Sequence, residues 1–109
     1  MLSEAISSEI VDGMRNVFGG QLLSVVLYGS VARGDDTPES DVDIAVFLNS
    51  PMRKDTRDKM LDRLVEIGWK CDQFVSVVDI EQTHYNEWVE FLPFYKNIRK
   101  DGVVLWKAT

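Results

Sequence analysis

With Cys71 as its one cysteine, the chain has no partner for an intrachain disulfide, and with His84 as its one histidine it lacks the usual zinc frameworks. No apolar stretch approaches the length of a membrane span. The opening residues Met1-Leu2-Ser3-Glu4 carry no basic region ahead of an apolar run, so they do not read as a signal peptide. Basic residues are outnumbered 12 to 18, giving a net charge of −6. A surface of that sign repels a polyanion, so direct binding of nucleic acid is not expected. No repeat, linker or low-complexity segment breaks the chain. What is present is a 45% apolar composition over 109 residues, enough for one core. The default expectation is one domain over residues 1–109 in a reducing cytoplasm.

Leu2, Ile6, Ile10, Met14 and Val17 recur at helical spacing with polar residues between them, which predicts an amphipathic helix stopped by Gly19-Gly20. Leu22 to Tyr28 is nearly all apolar, the mark of a buried strand. Asp35-Asp36-Thr37-Pro38 is a turn cluster, and Val42 to Leu48 is a second strand ended by Asn49-Ser50-Pro51. A second helix is expected over Asp55 to Trp69, with Met60, Leu61, Leu64, Val65 and Ile67 toward the core. Gln73 to Ile80 reads as a third strand. A helical region follows from about Gln82, Pro93 interrupts it, and Phe94 to Lys100 forms a short last helix before Asp101-Gly102. Val103 to Trp106 is a candidate edge strand. The fold class is α/β (α+β): a small mixed sheet of three or four strands with flanking helices.

The chemistry concentrates in Gly29-Ser30, ten residues, then Asp41-Val42-Asp43, set between the first two strands. Gly29 permits a tight turn and lets a phosphate approach the backbone. Ser30 adds a hydroxyl, and a helical turn starting there would aim free N–H groups at the same phosphate. Alternation places Asp41 and Asp43 on one face. Two hard oxygen ligands side by side suit magnesium, which completes its shell with water and phosphate oxygens. Such a site supports nucleotidyl transfer: in-line attack at the α-phosphorus, with pyrophosphate leaving.

Gly29-Ser30-Val31-Ala32-Arg33-Gly34 and Ser40-Asp41-Val42-Asp43-Ile44 resemble the signature of the DNA polymerase beta-like nucleotidyltransferase superfamily, and in particular its minimal nucleotidyltransferase (MNT) branch. The resemblance runs more loosely from the first helix to Gly102. It implies the nucleotidyltransferase fold, with Asp41 and Asp43 as metal-binding and catalytic residues and Gly29 and Ser30 at the nucleotide. It also implies magnesium as cofactor and ATP as substrate. Members of that branch are often encoded beside a small helical HEPN ribonuclease and act as its antitoxin. They transfer AMP to a tyrosine of the toxin or simply bind it.

One departure bears on activity. The family's third carboxylate lies on the next strand, where this chain has Ser76 in Phe74-Val75-Ser76-Val77-Val78-Asp79. Asp72 is expected on the same face but about 13 Å back along the strand, and Asp79 on the opposite face. The alternative function is therefore a catalytically degenerate antitoxin that neutralises its partner by surface contact.

Arg33 follows the phosphate turn and is a candidate triphosphate contact, or a surface partner of Asp35 or Asp36. Arg53, Lys54, Arg57, Lys59 and Arg63 read as a solvated helix face balanced by Asp55, Asp58 and Asp62. Lys96, Arg99 and Lys100 read similarly. Trp88, Phe91, Phe94, Tyr95 and Trp106 are expected mostly in the core, and any that prove exposed mark a partner surface. Cys71 reads as a small buried filler and His84 as a surface or capping residue.

Overall fold

The computed structural model describes residues 2–109. Helix α1 (Glu4–Phe18) starts at Ser3, whose hydroxyl accepts the Ile6 N–H at 3.2 Å. A 3₁₀ turn, Gly19–Gln21, leads into strand β1 (Leu22–Tyr28). Next come α2 (Gly29–Arg33), β2 (Val42–Leu48), α3 (Lys54–Cys71) and β3 (Val75–Glu81). The chain closes with α4 (Gln82–Trp88), α5 (Pro93–Asp101) and β4 (Val103–Lys107).

The four strands form one mixed sheet in the order β3-β2-β1-β4. β1 is antiparallel to β2 and β4, while β2 and β3 are parallel. A parallel pair needs a long crossover, and α3 supplies it. β2 is an inner strand with helices over both faces, which accounts for its unbroken apolar run. Its alternate residues Val42, Ile44, Val46 and Leu48 join Ile10 and Met14 of α1 and Leu64 and Ile67 of α3 in one core. Ala45 and Phe47 turn the other way, into a second core with Val26, Ile80, Tyr95 and Ile98. Each such aliphatic side chain contributes about 1.5–3 kcal/mol when fully buried. α1 and α3 approach closely at Gly13, where a Cβ would lie 3.0 Å from Ile67 Cδ1. Lys70 also reaches Glu9 across the two helices at 2.7 Å. Among the described residues, no helix is long and apolar enough to cross a membrane.

Several expectations are corrected. The second helix runs past Trp69 to Cys71, and β3 begins at Val75 instead of Gln73. Asp72 ends the helix in the left-handed region (φ 51°), and Gln73 N–H closes the turn on the Gly68 carbonyl at 3.1 Å. Asp72 is thus a helix cap and has no place on the strand. Leu61 and Val65 are exposed, not core, because β3 is the sheet edge and, among the described residues, no element covers α3 on that side. Trp88, Phe91 and Phe94 are exposed too, whereas Tyr95 is buried and Trp106 is partly buried under Arg15, 5.0 Å from its ring. Cys71 is only partly buried, packed against the main core. The last helix includes Pro93 at its first position, where a missing N–H costs nothing.

Candidate active site

Tyr28, the last residue of β1, has extended backbone, and Gly29 then turns the chain with φ 78°. That conformation is easy only for glycine. A Cβ at Gly29 would collide with the Asp43 carboxylate Oδ2 and lie 3.3 Å from its carboxyl carbon. The Gly29 turn and the second aspartate are therefore packed directly on each other. The first turn of α2 starts here, and Gly34 (φ 78°) ends it, with Asp35 N–H bonded to the Ser30 carbonyl at 2.9 Å. Ser30 is half-buried at the mouth of this turn.

Asp41 lies exposed just before β2, and Asp43 is half-buried two residues on. Burial pushes the Asp43 carboxyl above its ordinary value, the neighbouring Asp41 charge pushes it further, and Arg33 opposes both. Tyr28 is the cross-strand partner of Asp43. Its hydroxyl is raised by burial first and by the Asp43 charge second. Arg33 itself points at Asp35, with Nε 3.2 Å from Oδ2.

In the parallel β2–β3 pair, Asp43 stands opposite Ser76. Ser76 shares the sheet face of Val78 and Ile80, which lie in the same core as Phe47, on the Asp43 side. Asp79 alternates to the opposite face and meets Arg57 of α3 at 3.6 Å. Asp72 is held in the α3 cap. Neither replaces Ser76, and among the described residues no three His, Cys, Asp or Glu side chains are grouped to hold a metal. The donor set is two carboxylates whose mutual repulsion a cation would relieve, beside the Gly29 turn. That set fits magnesium with its remaining positions filled by water and phosphate.

The family model for Polymerase beta, Nucleotidyltransferase matches residues 15–108. The chain belongs to that family. It is a nucleotidyltransferase, and the matched region holds the Gly29 turn, Asp41, Asp43 and Ser76. A Methanocaldococcus jannaschii protein named "Putative protein adenylyltransferase MJ0604" is 26% identical over 106 residues, covering 97% of this chain and all of that one. A structure of tri-AMPylated Shewanella oneidensis HEPN toxin in complex with MNT antitoxin contains a chain that superposes with TM-score 0.63 at 17% identity, over 98% of this nucleotidyltransferase and 74% of that chain. The spectinomycin adenyltransferase of Enterococcus faecialis, solved with ATP and spectinomycin, superposes with TM-score 0.78 at 12% identity, over 99% of this chain and 57% of that one. Both structural likenesses concern the fold.

A groove of about 450 Å³ opens between α3 and the start of β3, on the sheet face opposite to Asp43, lined among others by Leu61, Val65, Trp69, Phe74 and Asp72. Trp69 is 85% and Phe74 70% exposed. The Phe74 carbonyl accepts the N–H of Val42, the residue between Asp41 and Asp43, at 2.9 Å, so groove and carboxylates share one end of the sheet. Leu61, Val65 and Trp69 form a row at four-residue spacing, and Asp58, Asp62 and Glu66 form a parallel acidic row beside it. Sequence reading missed this groove and the placing of Tyr28 beside Asp43. The signal for Tyr28 was its position directly before Gly29-Ser30, which forces it opposite the second aspartate once the strands pair.

Proposed function

We propose that this nucleotidyltransferase binds magnesium-ATP at Gly29, Ser30, Asp41 and Asp43 and transfers AMP to a protein, a small helical HEPN-type toxin that it neutralises in the cytoplasm. The packing of Gly29 against the Asp43 carboxylate carries this reading, because it joins a phosphate-binding turn and a metal-binding pair in one unit. The jannaschii relative's name and the HEPN–MNT complex support a protein acceptor. The apolar groove on the α3 face, at the same end of the sheet as the carboxylates, supplies a seat for a helix with an apolar ridge.

In this reading the bare Gly29 backbone admits the triphosphate and the Ser30 hydroxyl donates to it. Magnesium on Asp41 and Asp43 supplies charge that offsets the negative charge growing on the phosphates. The acceptor hydroxyl oxygen bonds to the α-phosphorus, the bond to the β-phosphate oxygen breaks, and pyrophosphate leaves. With Ser76 opposite Asp43, no third carboxylate takes the acceptor's proton, so that proton passes to solvent or to a phosphate oxygen. Arg33, engaged with Asp35, is within electrostatic reach of Asp43 and serves the triphosphate once that exposed ion pair opens.

The test is incubation with the HEPN-type partner and ATP labelled at the α-phosphate, with γ-labelled ATP as control. Label on the partner from the α-position alone is the expected outcome. Absence of label on a folded, bound partner with magnesium or manganese overturns transfer to that protein. Ser76 favours a second reading, neutralisation by contact alone. That reading requires Asp41→Asn/Asp43→Asn to neutralise the partner as well as the wild type does.

A further inference from the structure

Tyr28, Asp43 and Ser76 share the sheet face covered by α4 and α5. On that face Phe94, the second residue of α5, meets Tyr28 edge-on, with ring centroids 5.5 Å apart and planes at 86°. Its other neighbour is Tyr95, at 6.2 Å and tilted by 42°. Two rings thus hold Phe94 in place, yet 41% of it stays open to solvent. Phe94 thus presents an apolar ring, oriented by its aromatic neighbours, on the sheet face that carries Asp43.

Tyr28 stands opposite Asp43 in the β1–β2 pair and directly precedes Gly29, so the ring that Phe94 meets at 5.5 Å belongs to the residue that joins the turn to the carboxylate strand. α2 and α5 run close together, which sets the helix that carries Phe94 next to the Gly29 turn.

We propose that Phe94, braced by Tyr28, is the stacking platform for the nucleobase of the triphosphate. This rests on the nucleotide-site reading above and adds where the base lies. A stacking ring does not read hydrogen-bonding edges, so it selects by area: purines bind better than pyrimidines. The aromatic density of the C-terminal third thereby acquires a ligand at the ring that meets Tyr28.

Calorimetric titration tests this with three probes in magnesium: ATP, CTP and inorganic tripolyphosphate, against the wild type, Phe94→Ala and Phe94→Trp. Loss of one stacked base weakens binding about tenfold. Phe94→Ala is therefore expected to weaken ATP about tenfold, to narrow the ATP-over-CTP preference, and to leave tripolyphosphate unchanged. Phe94→Trp is expected to restore ATP binding. Unchanged ATP affinity in Phe94→Ala overturns the platform, and so does an equal loss of ATP and tripolyphosphate. Wild-type protein that binds neither ATP nor tripolyphosphate overturns the nucleotide site itself, an outcome distinct from both.

Discussion

The carboxylate of Asp43 fills the space that any side chain at Gly29 would need. The Gly29 turn and the strand that presents the carboxylates are therefore packed directly on each other. Gly29→Ala is expected to disturb both, through the positive φ and through the collision. A stability loss of about 1–3 kcal/mol is expected in urea unfolding. ATP affinity should fall further than stability alone explains. Unchanged unfolding and unchanged ATP binding would mean the turn relaxes freely.

Asp43 is held above the ordinary carboxylate value of 3.8 by burial and by Asp41. A raised carboxyl binds its proton more tightly in the folded chain than in the unfolded one. Its stabilising contribution is complete below the unfolded value and disappears as pH rises through the folded value. In buffer containing EDTA, Asp43→Asn should therefore melt above the wild type at pH 7, by roughly 1–4 °C, and the gain should shrink toward pH 4. Magnesium should raise the melting temperature of the wild type and leave Asp41→Asn/Asp43→Asn unmoved. A variant that melts lower at pH 7 contradicts the repulsion described here.

Ser76 stands where a carboxylate opposite Asp43 would complete a triad of acids. Ser76→Asp is expected to speed AMP transfer by about 100-fold if proton removal limits the rate. The same variant should be less stable without metal, since it adds a third negative charge. A variant that folds, binds magnesium-ATP and transfers no faster would show that the missing base does not limit this chain.

Trp69 is 85% exposed and lines the groove between α3 and the start of β3. Trp69→Asp should change stability by no more than about 0.5 kcal/mol and leave ATP binding intact. Partner affinity should fall about 30-fold or more, as for a central aromatic anchor. Full partner binding by this variant would place the interface elsewhere.

His84 Nδ1 and the Tyr95 hydroxyl lie 2.7 Å apart, joining α4 to the buried ring of α5. Tyr95→Phe should cost about 0.5–1.5 kcal/mol, read by chemical denaturation, with no loss of ATP binding. A larger loss of nucleotide affinity than of stability would give this pair a role in the site.

Strands β1 and β2 are legible in the sequence because both are buried on two faces, and a continuous apolar run has few other readings. Asp41 and Asp43 are near each other for a local reason, standing two residues apart at the entry to β2, where the Asp41 charge reaches the Asp43 carboxyl. What escapes the sequence depends on distant parts of the chain. Leu61 and Val65 follow the helical period of a core face, but the sheet ends at β3 and leaves them uncovered. Asp72 takes a left-handed cap conformation without the glycine that normally announces one. Phe94 reads as core by composition, and only the docking of α5 beside Tyr28 sets it at the rim of the site.

The most direct measurement is titration of magnesium-ATP into the wild type and into Asp41→Asn/Asp43→Asn. Metal-dependent binding to the wild type, lost in the folded double variant, is the predicted result. Equal binding by both proteins, or none by the folded wild type, would contradict a nucleotide site built on Gly29, Asp41 and Asp43.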